Sequence, residues 1–472
     1  MEALPRTLAH IDANLQAYIA ELKDLVRIPS ISAGGDGESG AAVAEAGDFL
    51  VAQFRRLGLE AEKVDMGDGT NPLVLARSTP RPPGDTGDRP AVLVYGHYDV
   101  QGVDIPRSAW DVDPFAAHEA DGHLVARGAS DNKGPTFAHI KAAEAVLQTA
   151  GELPVDLVFL IEGEEENGSR ALERFIEAGR LEALGPFLAT VISDTSMYGP
   201  DRPSLTLGLR GIYYTEATVY GPRQDVHSGL FGGIAPNPNH LLLRALAGLW
   251  DNEGRIAVPG FYDGLLPLSP REKALYDSLD VDEAAYLEEL GVEALIDEPG
   301  YSILERRWTR PTLEVNLLEG GSPRTVIPHR ARAALSCHLA PGQDPDAVGA
   351  ALRRAIRGGL PPGTRCEFAH EHQSPAYHLD PDNPLVEPAL AAMRRGFGIE
   401  PLLTREGGSI PVVTQIAART RVPVLLIGLG QITDNWHGPN ERFSLRDFHR
   451  GVRMAAALLY ELAQTSKQQA QR

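Results

Sequence analysis

The stretch AVLVYGHYDVQG, residues 91–102, decides how the chain is read. Residues 91–95 form a short apolar, β-branched run, the pattern of a buried strand, which breaks at Gly96 and releases His97 and Asp99 onto a loop. In an open α/β sheet, ligands bind in the crevice beyond the carboxyl ends of the strands, so a His and an Asp delivered there are candidate site residues. His97 can offer a neutral imidazole nitrogen to a metal, and Asp99 is placed to hold the other ring nitrogen and so fix the tautomer. In isolation, H-x-D would describe a capped strand end with an ordinary surface histidine. Other strand ends in this chain repeat the arrangement.

Residues 155–161 are a second apolar strand, and it runs into EGEEENGS, residues 162–169. Four carboxylates within five residues at the end of a core strand repel one another, a cost that bound cations would relieve; the alternative is a solvated acidic turn. A strand over 187–192 releases Asp194, and one over 422–427 precedes TDNWHGPNERFS, which places His437 on a loop. RGASDNKGP, residues 127–135, sets Asp131 between a Gly-containing turn and a helix expected over 136–147. There Ser130 or Asp131 could serve as a helix N-cap, or Asp131 as a carboxylate bridging two cations.

Composition narrows the chemistry. At 472 residues the chain exceeds what one hydrophobic core supports, so two domains are expected. Its 44 Lys and Arg stand against 64 Asp and Glu, which argues against nucleic acid or an anionic membrane as partner. The opening MEALPRTLAH lacks the basic and apolar regions of a signal peptide, so a cytoplasmic location is expected. With only Cys337 and Cys366, neither a disulfide framework nor a Cys-rich zinc site is available, and a metal would be held by His and carboxylates.

In chain order, helices are expected over 11–28 and 42–57, with a Gly-rich loop at 34–40 and a Pro-rich turn at 80–90. A short strand is expected over 123–126. Strand 212–220, helix 239–250, strands 312–318 and 330–339, helix 344–356 and strand 364–371 give the order βαββαβ of a ferredoxin-like unit. An irregular acidic insertion at 251–311 interrupts it, with helical pieces near Glu272 and Ala284. After residue 375 a helix over 383–397 and a closing helix over 445–462 return to the first style, and 463–472 reads as a frayed polar tail. The fold expected is α/β: a catalytic domain with a central, mostly parallel sheet flanked by helices, 1–210 and 377–472, carrying an inserted ferredoxin-like α+β lid or dimerisation domain, 211–376.

His97, Asp131, the run Glu164 to Glu166, Asp194 and His437 supply imidazole nitrogen and carboxylate oxygen only. That set suits Zn²⁺, Mn²⁺ or Co²⁺, and the surplus of carboxylates points to two ions sharing one Asp, with a free carboxylate as general base.

The motifs GHYDVQ, RGASDNKGP, EGEEENGS, DVHSGLFGG, TREGGSIP and NWHGPNE, spread over nearly the whole chain, resemble those of the dinuclear zinc metallopeptidases. That family comprises carnosinase, cytosolic non-specific dipeptidase, glutamate carboxypeptidase, aminoacylase and succinyl-diaminopimelate desuccinylase. The resemblance implies that His97 and Asp194 hold one metal, Glu166 and His437 the other, and that Asp131 bridges them. It also implies Glu165 as general base, Asp99 as orienter of His97, and a cis peptide after Asp131. Glu164 stands where the dipeptidases often have an uncharged residue, and the following NGS aligns Glu165 and Glu166 with the family's pair. His227 would reach the active site of the other subunit of a homodimer, and Thr325, His372 and Ser409 match substrate-contacting positions. His338 departs from the pattern, standing where the family usually has an Arg that grips the substrate carboxylate.

The insertion and the segment RPTLEVN resemble the dipeptidase branch, so the function expected is a metal-dependent hydrolase of small peptides. An N-acyl amino acid deacylase is the alternative within the family, and a non-catalytic dimeric peptide-binding protein is the alternative from another class.

Overall fold

A computed structural model of the chain describes residues 3–32, 39–67, 69–78, 91–103 and 109–470. The turn expected over 80–90 lies outside these, as does the loop expected over 34–40 up to residue 38. Two compact units result: Met1–Leu207 with Leu379–Thr404 and Gln415–Arg472, and Gly208–His378 with Arg405–Thr414. The segment Arg405–Thr414 thus groups with the second unit, where sequence reading gave all of 377–472 to the first.

The first unit is built on a mixed sheet. Its strands run, in spatial order, Glu60–Val64, Leu73–Arg77, Asp156–Glu162, Ala91–His97, Ala189–Ile192, Val424–Ile427 and Ser204–Leu209. The pairings between Asp156–Glu162, Ala91–His97, Ala189–Ile192 and Val424–Ile427 are parallel, while the outer ones are antiparallel. Ala91–His97 and Asp156–Glu162 are buried beyond their first residue, as unbroken apolar runs must be when a sheet is covered on both faces. Helices Leu4–Val26, Gly134–Ala150, Val386–Phe397 and Leu445–Ala470 pack against one another, and Ser39–Arg56 packs on the antiparallel edge.

Register places the site. His97 pairs with Glu162 and Tyr95 with Ile192, so the chain leaves neighbouring parallel strands at the same edge, where residues 163–166 and 193–194 follow. Leu426 pairs with Ile192, which brings the loop leading to His437 to that edge as well.

The second unit contains an antiparallel sheet ordered Thr312–Glu319, Arg330–Leu339, Gly211–Tyr220 and Cys366–Ser374. With Pro238–Ala247 and Pro345–Gly358 these strands make the ferredoxin-like order. Tyr213, Ala217, Val219, Leu242, Leu246, Leu335 and Leu352 are among the buried residues of its core. The insertion contains three short helices, Pro270–Ser278, Glu283–Leu290 and Ile303–Trp308, the first and last closed by Ser capping boxes.

Sequence reading missed the strands Ser204–Leu209 and Leu402–Glu406, while the helix expected to follow GGSIP is Pro411–Thr420. It also ended the last helix too early. Leu445–Ala470 continues through residues 463–470, which contain neither Gly nor Pro to stop it. Among the described residues no helix is long and apolar enough to cross a membrane.

Gly96 shows how closely the organising strand is packed. A Cβ there would stand 2.0 Å from Thr136 Oγ1 and 3.0 Å from Asn132 Oδ1, on the turn and helix that follow Asp131. Gly96→Ala should therefore lower stability by about 1–3 kcal/mol through overpacking, as measured by urea unfolding, and Thr136→Ala in the same chain should recover part of the loss.

Candidate metal centre

At the carboxyl edge of the parallel strands, two groups of ligand atoms converge. His97, Asp131 and Asp194 form one and Asp131, Glu166 and His437 the other, the atoms of each lying within 4.8 Å of one another. Asp131 serves both. Its Oδ1 is 3.1 Å from His97 Nε2 and its Oδ2 is 3.0 Å from His437 Nε2. Asp194 Oδ1 lies 3.6 Å from His97 Nε2, and Glu166 Oε2 lies 3.3 Å from His437 Nε2. His97 is fully buried, whereas the side chain of His437 is 57% exposed, so one face of the pair opens outward.

The helix-cap alternative for this segment fails: helix Gly134–Ala150 has no side-chain cap, and Ser130 Oγ instead donates to Asp434 Oδ2 at 2.8 Å. The Asp131–Asn132 peptide is cis. What holds the turn is Glu441, which sequence reading did not single out. Its fully buried carboxylate accepts from the amides of Gly128, Ser130 and Asp131 at 2.9–3.0 Å and from Arg127 Nη1 at 2.8 Å. The signal was in plain view as the Glu of NWHGPNE, but nothing local says that it reaches back more than 300 residues.

Asp99 is also more than an orienter of His97. The ring nitrogen Nδ1 lies 3.0 Å from the Asp99 carbonyl oxygen and 3.4 Å from the carboxylate. The carboxylate accepts from the amides of Glu165 and Glu166 at 3.2 and 3.1 Å and from Ser32 Oγ. One aspartate therefore ties the imidazole to the acidic turn. Asn132 Nδ2 donates to Asp194 Oδ1 at 2.6 Å, and Gln101 Nε2 to Glu166 Oε2 at 2.9 Å.

The four glutamates at the end of Asp156–Glu162 part company. Glu162 accepts from Tyr95 OH and from Ser169 Oγ, and burial pushes it up to about 8. Glu164 is buried and accepts from the amides of Asn71 and Ala171, both at 3.0 Å, so it faces away from the cluster. Glu166 joins the second group, and the carboxylate of Glu165 has no hydrogen-bond partner among the described residues. Burial, reinforced by Asp194, Glu166 and Glu162, pushes Glu165 up to about 9 against the opposing charge of His97.

The donor set fits divalent cations. Without them the carboxylates draw protons to the histidines: bonds to Asp131 and Glu166 raise His437 to about 10, and Asp194 and Asp131 raise His97 although its burial opposes charge. Burial opposes the Asp131 charge too, but both histidines together hold it below the ordinary range. Nitrogen and carboxylate oxygen with no sulfur suit Zn²⁺, Mn²⁺ or Co²⁺.

The remaining candidates lie in the second unit. His227 is exposed, and its Nδ1 accepts from the Gly229 amide at 3.0 Å, so in the neutral ring the proton sits on Nε2 as a free donor. Thr325 is exposed beside it, its carbonyl bonded to the Ser228 amide at 2.9 Å. His372 stacks on Tyr214, ring centroids 4.7 Å apart, and His338 stands opposite Ile212 on the neighbouring strand. Ser409 lies partly buried in the loop before helix Pro411–Thr420.

The sequence profile of the peptidase family M20/M25/M40 matches residues 93–461. The chain belongs to that family. It is 33% identical over 472 residues to the Cys-Gly metallodipeptidase dug1 of Schizosaccharomyces pombe, an alignment covering 97% of this chain and 98% of the relative. The structure of human carnosine dipeptidase 1 superposes with a TM-score of 0.79 at 31% identity, covering 98% of this chain and 99% of that one. The metallo-carboxypeptidase Sso-CP2 of Sulfolobus solfataricus gives 0.81 at 28% identity, covering 94% and 99%. The protein is a metallopeptidase of the M20 fold.

Proton linkage gives the centre a measurable signature. In the cation-free protein, Glu165 (about 9 against an ordinary 4.5) and His437 (about 10 against 6.5) both bind protons more tightly when folded. The folded state then holds more protons than the unfolded one, so these groups contribute stability at low pH that falls as pH rises from about 5 toward 10. Saturating Zn²⁺ or Mn²⁺ should raise the melting temperature and flatten that slope, measured by thermal unfolding across pH with and without chelator.

Proposed function

We propose that the protein is a dipeptidase that hydrolyses the amide bond of small unblocked peptides with two divalent cations, Zn²⁺ foremost and Mn²⁺ or Co²⁺ as alternatives. The observation that carries this reading is the division of one carboxylate between two donor groups, Asp131 Oδ1 toward His97 and Oδ2 toward His437, with Glu165 left unpaired beside them. His97 and Asp194 would hold one ion, Glu166 and His437 the other, and Asp131 both. Bound there, such cations would supply polarisation of the scissile carbonyl and a lowered pKa for the attacking water.

The chain's own residues supply the rest. Glu165 takes a proton from the attacking water at its carboxylate and delivers it to the nitrogen of the leaving amine. Burial and the surrounding carboxylates favour the protonated form of Glu165, and two dications beside it would offset those carboxylates. Asp99 keeps His97 and the Glu165–Glu166 turn in one frame through the amide bonds already described.

His227 offers its Nε2–H to the oxygen of the scissile carbonyl in the neighbouring copy of a homodimer, a contribution of the oxyanion-hole kind. Its exposure favours an intersubunit role, as do Leu230, Phe231 and Ile234 beside it, which are 73%, 43% and 79% exposed. Thr325, His338, His372 and Ser409 are proposed to contact substrate.

Glu165→Gln should abolish turnover of dipeptides by the Zn²⁺- or Mn²⁺-loaded protein while metal content, read by elemental analysis, stays near two per chain. Persistent activity in that variant would overturn the assignment of the base. N-acetyl amino acids, assayed in parallel, separate a deacylase from a dipeptidase by which set is cleaved. His227→Ala should also be inactive, and mixing it with Glu165→Gln should restore activity in heterodimers if His227 acts across the subunit boundary. Verified heterodimers that remain inert would exclude the shared site.

A further inference from the structure

The loop that presents His437 is wound against its own backbone preference. Asn435, His437 and Asn440 lie at φ of 59°, 60° and 58°, the left-handed region that a residue with a Cβ enters at a cost and keeps only where its surroundings hold it. The His437 side chain is largely exposed, so packing does not fix it. Polar tethers hold the loop instead. Trp436 Nε1 donates to Ser130 Oγ at 3.0 Å, and Asn440 bonds to the amide and the carboxylate of Asp111 at 2.9 and 3.1 Å. At the ligand itself, the His437 carbonyl accepts from Arg127 Nη2 at 3.0 Å.

Arg127 opens the motif RGASDNKGP and is fully buried. Its Nη1 donates to Glu441 Oε2 at 2.8 Å, and the same carboxylate accepts from the amides of the Asp131 turn. Its Nη2 also reaches the Gly102 carbonyl at 3.3 Å, directly after Gln101, which bonds to Glu166. The guanidinium carbon stands 5.3 Å from the centroid of the Trp110 ring. One planar cation thus meets three segments, each of which carries or orients a member of the group Asp131, Glu166 and His437. Among the described residues Arg127 makes no hydrogen bond to His97 or Asp194, which are oriented by the Asp99 carbonyl and by Asn132. The fork of a guanidinium directs one nitrogen at the carboxylate and the other at the carbonyls, an arrangement that the point charge of a lysine does not reproduce.

Resting on the two-cation centre of the reading above, we infer that Arg127 is a positioning residue for the cation at Asp131, Glu166 and His437. By holding the His437 carbonyl and the Gly102 segment against Glu441, it sets the direction of His437 before the ion arrives, and it leaves the cation at His97 and Asp194 to other partners.

The test counts ions. Metal-stripped wild type, R127K, H437A and R127K/H437A are titrated with Mn²⁺, and binding is followed by equilibrium dialysis with elemental analysis and by the Mn²⁺ paramagnetic resonance spectrum, which separates a spin-coupled pair from an isolated ion. Wild type should bind two ions as a coupled pair. R127K should bind one ion as wild type does and the second on the order of tenfold to a hundredfold more weakly, the usual effect of removing a partner that orients a ligand. At low Mn²⁺ its spectrum should be that of an isolated ion, and raising Mn²⁺ should restore the pair together with dipeptide hydrolysis. H437A should retain one ion, and R127K/H437A should bind that ion no more weakly, because a residue acting through His437 then has nothing left to position. If R127K does not fold without metal, R127Q folded in saturating Mn²⁺, which stabilises the native state by mass action, and then dialysed to lower concentrations decides the matter.

Equal weakening of both ions in R127K, or a further loss in R127K/H437A relative to H437A, would make Arg127 a general support of the fold and overturn the inference. Two ions held by R127K as tightly as by wild type would overturn it as well. A wild type that binds two ions but cleaves no dipeptide would overturn the dipeptidase reading, while selective loss of one ion in R127K would still uphold this inference. A wild type that binds fewer than two ions would overturn the two-cation centre and the inference together.

Discussion

The carboxylates gathered at one edge of a buried sheet are the constraint that the first unit is built around. Asp99, Asp131, Glu162, Glu164, Glu165, Glu166, Asp194 and Glu441 gather there, and burial and neighbouring carboxylates oppose the ionisation of Glu162, Glu165 and Glu441. The fold answers with directed backbone N–H groups: Glu441 takes three amides, while Asp99 and Glu164 take two each. Those bonds satisfy some of the charges outright. The ones left over, Asp131, Asp194, Glu165 and Glu166, face one another and the two histidines, which concentrates uncompensated negative charge where divalent cations would be bound.

Rigidity of the site follows from the same bonds. A metal ligand is useful only if its direction is fixed before the ion arrives, and partners of the ligands usually fix it. Here Asn132 orients Asp194, Gln101 orients Glu166, the Asp99 carbonyl orients His97, and Glu441 holds the whole Asp131 turn against Arg127. The helix beginning at Gly134 then packs on the strand ending at His97 with no room for a methyl at Gly96. Sheet packing and ligand geometry are thus one structure.

The second unit manages charge differently. Glu272, in the inserted helix Pro270–Ser278, is buried; burial opposes its charge, but His378, Arg405 and the Ser269 amide hold it at about 2. Arg405 is therefore spent on structure, within the same motif whose Gly407 lies against Arg210.

Much of the architecture was legible in the sequence, because apolar runs at strand period, helical spacing and turn residues act locally. The parallel strands at 91–97 and 156–162, the βαββαβ order of the second unit and the residues released at strand ends all came from such patterns. The same patterns were weakest at Ser204–Leu209, at Leu402–Glu406 and at the end of the last helix, which pairing and packing extend past what local sequence announces. The ligand types were likewise readable, since only imidazole and carboxylate were on offer. What the tertiary structure alone decided is which carboxylate does what: Glu164 turned to backbone amides and Glu165 left unpaired one residue later, and Glu441 bound to a turn some 310 residues earlier. Those outcomes depend on strand register and on long-range hydrogen bonds, and neither is encoded in the spacing of residues along the chain.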